Sequence, residues 1–504
     1  MSGPPPEGYL GAEARIGSAP APELMEAGYR LELADAPLLH RGLGLADLAH
    51  VTMLGERGAI AGEDLRALLR ALLDLLDEDV AAVATEERYG DLANVRERLL
   101  EQRIGSAAGW LNAGRPRREA GRIAFRLALR PRVLDLAAAV ARFADGLVAL
   151  AARERDTLLP DYTYMQVAQP TTVGHWSLSF AYPALRDLER LRRDYAWVDR
   201  SPGGAGGVNG SRFPLDRTRV AELLGFSQLI THTRDGMWQT DGLSDLLSHA
   251  AIAATGASRF AEDLELYGSD EFGLLRIGDE LCRASALMPQ KRNPYALVVL
   301  RGGAGTLIGR ATGVMATQRT PSGRTDNLLY AYGEVCGAVE LAARLLRLAA
   351  ATAESVTVEA ERAERRVRDG FALATDVAEA ISLGTGLDYR SAHRVVGRAV
   401  ARAREAGAGP GALDATALDA AARELLGRPL GVDPALLAEA LEPEAALAAR
   451  TVPGGAAPER MDAMLAECRA AVAEAERWSE AARAAAAQAE DELLELARRR
   501  AGER

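Results

Sequence analysis

Five long Ala/Leu/Arg-rich stretches dominate the middle of the chain, at about 119–158, 172–197, 241–266, 294–318 and 328–355. Alternating, β-branched runs are almost absent, and apolar residues recur at three- and four-residue spacing, as in Leu65-Arg66-Ala67-Leu68-Leu69-Arg70-Ala71-Leu72-Leu73. The pattern predicts five long helices within an all-α protein. The breaks between them are Gly-rich or polar: Ser201-Pro202-Gly203-Gly204-Ala205-Gly206-Gly207, and the loop from Tyr267 to Pro289. The glycines at 203–207 lack the preceding strand and following Lys-Ser/Thr of a phosphate cradle, so they read as a bundle loop.

A length of 504 residues allows two or three domains and a large core. The formal net charge of −11 and the lack of a basic block argue against a nucleic-acid partner. Cys282, Cys336 and Cys468 have neither metal-ligand spacing nor even pairing and read as ordinary thiols of a reducing compartment. The six histidines form no ligand pattern, so neither a metal nor an organic cofactor is expected. Met1-Ser2-Gly3-Pro4-Pro5-Pro6 carries no basic or apolar leader, and no run reaches the roughly 18 apolar residues of a membrane span. A cytoplasmic protein without membrane association is the expectation.

Lys291 is the chain's single lysine among 60 lysines and arginines. Ammonium and guanidinium are nearly interchangeable on a solvated surface, but not in a tight site where a compact charge differs from a planar fork. A lysine kept at one position alone therefore points to chemistry. It lies in Ala284-Ser285-Ala286-Leu287-Met288-Pro289-Gln290-Lys291-Arg292-Asn293-Pro294.

That segment resembles the mobile catalytic loop of the aspartase/fumarase superfamily, Gly-Ser-Ser-x-Met-Pro-x-Lys-x-Asn, with alanines on both sides of Ser285. Within the superfamily the chain is most similar to argininosuccinate lyases. The similarity runs through Ala49-His50-Val51-Thr52-Met53-Leu54, Gly114-Arg115-Pro116-Arg117-Arg118-Glu119, and Tyr162-Thr163-Tyr164-Met165-Gln166-Val167-Ala168-Gln169-Pro170. It continues at Ala374-Thr375-Asp376, Ser391-Ala392-His393-Arg394-Val395-Val396-Gly397 and Pro453-Gly454-Gly455-Ala456-Ala457-Pro458. The resemblance implies a three-domain lyase fold: an N-terminal helical domain at 1–117, a central bundle at 118–357 with its catalytic loop at about 267–294, and a C-terminal helical domain at 358–504. It also implies a homotetramer with a twenty-helix core, whose active sites draw segments from three subunits. After Pro458 the family's chains usually end within a few turns, whereas residues 459–499 here predict one further helix. Its stripe of Met461, Met464, Leu465, Cys468, Val472 and Ala475 reads as a packing surface.

By resemblance, Ser285 is the base that removes a proton next to a carboxylate, and Lys291 with Asn293 receives the charge that accumulates there. A serine does this only if its alkoxide is stabilised by NH groups and the ammonium. Thr163 is counted with the catalytic residues, where it holds a carboxylate beside the acid, and Gln169, Met288, Arg115, Arg117 and Arg118 are carried over as substrate contacts. The leaving-group side departs from the family. Where argininosuccinate lyases have histidine in Tyr-Thr-His-x-Gln and a glutamate seven residues past the loop lysine, this chain has Tyr164 and Val298. Tyr164 can still donate a proton or a hydrogen bond. Alternatively it only fills the histidine's volume. The family's Ser-Arg-Asn is Pro116-Arg117-Arg118, and Arg324, Leu329 and Tyr332 stand where the arginine moiety would be read. The resulting cationic site suits a small anionic di- or tricarboxylate.

The reading that follows is an argininosuccinate lyase-like enzyme of specialised metabolism. It would eliminate from, or add to, a substituted succinate, with C–N lysis and fumarate release. The alternatives are a genuine argininosuccinate lyase and a non-catalytic scaffold paralogue; the retained Ser285 and Lys291 weigh against the scaffold, and the lost His/Glu pair against the first.

Overall fold

A computed structural model describes residues 15–320, 323, 324, 328 and 330–502. The N-terminal domain is built on α1 (Ala36–Glu56), which is buried along nearly its whole length, with α2 (Gly62–Asp77) and α3 (Leu92–Ile104) packed around it. Helix α4 (Arg117–Arg153) starts directly after Pro116, whose extended backbone ends the preceding loop, and runs for 37 residues. At 1.5 Å per residue it spans about 55 Å. A hairpin follows, β1 (Leu158–Thr163) against β2 (Gln166–Thr172), and then α5 (Val173–Val198), capped by the Thr172 hydroxyl accepting from the His175 N–H. The bundle is completed by α6 (Asp241–Tyr267), α7 (Tyr295–Thr317) and α8 (Tyr332–Ser355). Between α6 and α7, the short strands β3 (Arg283–Ala284) and β4 (Arg292–Asn293) pair antiparallel. The five long helices predicted from periodicity are therefore all present, ending within a few residues of the expected positions.

Helices α4, α6 and α8 run one way and α5 and α7 return. Tyr162 of the hairpin stacks against Tyr267 at the end of α6 (ring centroids 5.9 Å apart) and against Phe272 (5.4 Å). The Gly278 N–H donates to Ser355 Oγ at the end of α8 (3.2 Å). The opposite end joins the starts of α4 and α8, where Tyr332 stacks on Phe125 at 4.5 Å. Ser244 near the start of α6 donates there to Gln318 just past α7 (2.5 Å). The hairpin and the segment leading to Ser285 thus share one end of the bundle, and residues 115–118 and Tyr332 the other.

Beyond α8, α9 (Ala360–Arg368) packs on β1 and buries Ala363 in the main core, while α10 (Ala374–Thr385), α11 (Tyr389–Glu405) and α12 (Ala415–Leu426) form a smaller domain around Val377, Ile381, Val395 and Leu418. The terminal helix α13 (Pro458–Ala501) leaves it. Its Met461, Met464, Leu465, Cys468 and Val472 are buried in the main core, and it packs on α1, α2, α4 and α5. Grouping this helix with the C-terminal domain is thus corrected: the apolar stripe is a packing surface, but toward the other two domains. No helix of the described residues is long and apolar enough to cross a membrane.

Candidate active site

The loop between β3 and β4 folds back on Ser285. Its Oγ accepts hydrogen bonds from the N–H groups of Leu287 (3.3 Å) and Met288 (3.0 Å), and the Lys291 N–H donates to the Met288 carbonyl at 3.1 Å. Two N–H dipoles aimed at one hydroxyl oxygen favour its charged form. Met288 therefore contributes through its backbone, while its side chain is partly exposed. Asn293 Nδ2 donates to the Arg283 carbonyl (3.0 Å), and Arg292 pairs with Asp279 at 2.6 Å, which fixes both strands of the loop. Arg283 lies over the ring of Tyr295 at 3.8 Å, where α7 begins. Lys291 is exposed, and Leu287 at the tip is 84% exposed.

At the same end, Thr163 pairs with Gln166 across a two-residue turn, and the turn residues Tyr164 and Met165 have φ of +52° and +58°. Such turns match the strand twist but favour Asn-Gly, because a side chain in the left-handed region costs about 1–2 kcal/mol. A strained, non-glycine turn persists only where the surrounding structure holds it in place. Tyr164 is 99% exposed, so within the subunit it fills no cavity. Thr163 and Gln169 are exposed on the same hairpin. Met165→Gly is expected to relieve about 1 kcal/mol of this strain and raise the apparent melting temperature; a fall would mean that the Met165 side chain holds the turn. Helical periodicity gave no warning of the hairpin, and its turn lacks the Asn-Gly signal that would have revealed it.

The opposite end differs from expectation. Arg115 is buried, with its guanidinium donating to Asp47 (2.6 Å) and the Ala46 carbonyl (3.1 Å), and Asp47 also pairs with buried Arg96 at 3.1 Å. Arg115 is thus a strut of the N-terminal core, and its assignment as a substrate contact is corrected: its charge is already spent on Asp47. Arg117 pairs with Asp91 (3.0 Å), and Arg118 with Glu32 (2.7 Å). These carboxylates neutralise the expected cationic pair, and no short-range sequence pattern connects them to it. Tyr332 is buried with its hydroxyl accepting from Arg122 at 2.5 Å. Arg324 is exposed, and Leu329 lies outside the described residues.

Nearby, the Gly-rich loop wraps a carboxylate of its own chain. Gly204 and Gly206, both at positive φ, donate their N–H groups to Glu119 at 2.6 and 2.9 Å. Burial raises the Glu119 pKa against the pull of Arg115 and these donors. His50, of the first matched segment, is buried against the Ala113 carbonyl (3.1 Å), and burial holds its pKa well below the usual histidine value. Both are structural groups.

One end of the subunit therefore carries Ser285, Met288, Lys291, Asn293, Thr163, Tyr164 and Gln169. The other carries Arg117, Arg118 and, in the link before α8, Arg324, about one α4 length (about 55 Å) away. A single subunit does not bring the two sets together.

Residues 45–309 match the Lyase family model, and residues 371–448 match that of the argininosuccinate lyase C-terminal region. The argininosuccinate lyase of Methanoculleus marisnigri is 34% identical over 460 residues, 90% of this chain and 92% of that protein. That of Methanothermobacter thermautotrophicus is 32% identical over 86% of this chain and 92% of its own length. Among solved structures, EDDS lyase in complex with formate superimposes with a TM-score of 0.85 at 25% identity, covering 96% of this chain and 97% of that one. The 3-carboxy-cis,cis-muconate lactonizing enzyme of Pseudomonas putida shares the fold, with a TM-score of 0.66 at 20% identity over 90% of this chain and 99% of that one.

Proposed function

Since the chain belongs to the lyase family of the aspartase/fumarase superfamily, near the argininosuccinate lyases, we propose that it cleaves a C–N bond of an N-substituted aspartate, or runs the reverse addition, with fumarate as the unsaturated partner. The observation that carries this reading is the Ser285 hydroxyl, held by two backbone N–H groups six residues before the chain's only lysine. In the elimination, the Ser285 alkoxide removes the proton on the carbon next to a carboxylate. The electron pair moves into that carboxylate, where Lys291 and Asn293 stabilise the doubly charged group. Its return forms the C=C bond and expels the nitrogen from the adjacent carbon, and the Tyr164 hydroxyl delivers the proton this nitrogen needs. Thr163 and Gln169 lie on the same hairpin to hold the substrate's carboxylates.

The reading includes a homotetramer, in which Arg117, Arg118 and Arg324 of one subunit meet the Ser285 loop and the Tyr164 hairpin of others. Support comes from the separation of these groups along α4 and from the outer face of α7. There Val298, Val299, Ile308 and Met315 are exposed, and Gly302, Gly305, Gly309 and Gly313 have open space where a Cβ would stand. Uncovered, such a face costs solubility; it suits close contact between helices of different subunits. Ile308→Asp is expected to dissociate the assembly in light scattering and abolish turnover in parallel, although Ile308 is remote from Ser285. A tetramer that persists with activity would refute this arrangement.

The substrate is tested by incubating the purified protein with a panel of N-substituted aspartates while following fumarate absorbance. The names of the relatives favour a second reading, argininosuccinate itself. Tyr164 in place of histidine, and Arg324 where the arginine moiety would be read, favour a different leaving group. Turnover of another aspartate with little from argininosuccinate supports the first reading, brisk argininosuccinate cleavage the second. Activity toward none, in either direction, would leave a scaffold.

A further inference from the structure

A second basic region lies where the hairpin, the start of the segment leading to Ser285 and the C-terminal domain meet. Residues of all three line a cavity of about 730 Å³, among them Gln166, Phe272, Arg362, Arg365, Arg366 and Arg404. On α9, Arg362, Arg365 and Arg366 follow the i, i+3, i+4 spacing of one helix face, while Ala363 and Val367 fill the buried face. Arg404, on α11, lies 5.3 Å from the ring centroid of Phe371.

These guanidiniums are used unequally. Arg362 is a strut: it donates to the carbonyls of Asp270 and Glu271 (both 3.1 Å) and passes so close to Gly273, at φ +56°, that a Cβ there would meet its Nη1 at 2.5 Å. Arg368, one turn on, gathers three carboxylates, those of Glu364 (2.8 Å), Glu442 (2.9 Å) and Glu444 (2.9 Å). Among the described residues, Arg365, Arg366 and Arg404 form no ion pair, although most arginines of this acidic chain do. Two carboxylates, Asp369 and Glu271, also line the cavity without pairing to them, which leaves a surplus of positive charge across a concave surface. Like charges gathered without partners cost stability, and a cleft concentrates their field on whatever enters it.

We propose that this cleft is an anion-binding site separate from the active site, and that it takes a small polyanion bearing two or more carboxylate or phosphate groups. Planar guanidiniums on two sides match the bidentate geometry of either group. A ligand there bridges Arg365 and Arg366 of α9 to Arg404 of α11, against the hairpin that presents Tyr164 and the root of the Ser285 loop. Its occupancy therefore biases how those two elements stand relative to the C-terminal domain.

Titration calorimetry on the full-length protein with pyrophosphate and, separately, citrate tests the site. Saturable binding is expected for at least one, and which one binds tells phosphate from carboxylate recognition. The double variant Arg365→Gln/Arg366→Gln is expected to weaken it by about 10-fold or more, the worth of one lost charge-assisted contact, with Arg404→Gln acting in the same direction. These side chains are exposed or on the cavity wall, and an unchanged melting temperature without anion will verify that the variants fold. Lys291→Met, which disables the active site, is expected to leave the affinity unaltered. The proposal is overturned if neither anion binds, if the double variant binds as wild type does, or if Lys291→Met abolishes binding, which would assign the anion to the active site.

Discussion

Ser285→Ala is expected to abolish elimination, by on the order of 10⁴-fold, the upper end of what a positioned base contributes, and to leave the apparent melting temperature nearly unchanged. The hydroxyl accepts from Leu287 and Met288, but the loop it closes is largely exposed and contributes little to the core. Lys291→Arg tests the same loop from the other side. It keeps the charge, yet replaces a compact three-donor ammonium with a planar fork that does not meet one carboxylate oxygen in the same place. A loss of on the order of 10²–10³-fold in kcat is expected, comparable to removing one preorganised donor from a developing oxyanion. Stopped activity together with a large fall in melting temperature in Ser285→Ala would point to a loop of structural importance. Nearly full activity in Lys291→Arg would remove the reason for treating the single lysine as chemical.

Tyr164→Phe is expected to cost on the order of 10²–10⁴-fold for substrates whose leaving nitrogen needs a proton. The loss shrinks for analogues whose leaving groups are stable as anions. Because Tyr164 stands 99% exposed at the tip of its hairpin, the phenylalanine variant keeps the stability of the subunit, and any loss of rate reads on the hydroxyl. A silent phenylalanine with every substrate would rule out Tyr164 as the acid. Tyr164→His with Val298→Glu is expected to help more than either change alone, since each single variant leaves a polar group without its partner. That double variant still processes argininosuccinate poorly if Arg324 continues to misread the guanidinium end; efficient cleavage would show that recognition lies elsewhere.

What the sequence determined by itself was whatever local spacing encodes. Apolar residues three and four apart fixed the five long helices and the terminal helix, because the turn of a helix relates only near neighbours. The run around Ser285 and Lys291 was legible from the chain's single lysine and from its resemblance to the superfamily's loop, and the hydrogen bonds the structure shows there span only two or three residues. Only the tertiary structure decided which arginines are free. Asp47 lies 68 positions before Arg115, and Glu32 lies 86 before Arg118. These carboxylates turn one expected substrate contact into a core strut and neutralise another, while Arg365, Arg366 and Arg404 form no ion pair among the described residues. Likewise, the apolar stripe of α13 announced burial but not against what, and its direction toward the other two domains follows from long-range packing. The turn at Tyr164 and Met165 defied local preference outright. The reason is common to all of these: helix periodicity is a property of near neighbours, whereas charge pairing and backbone strain depend on groups that only the folded chain brings into contact.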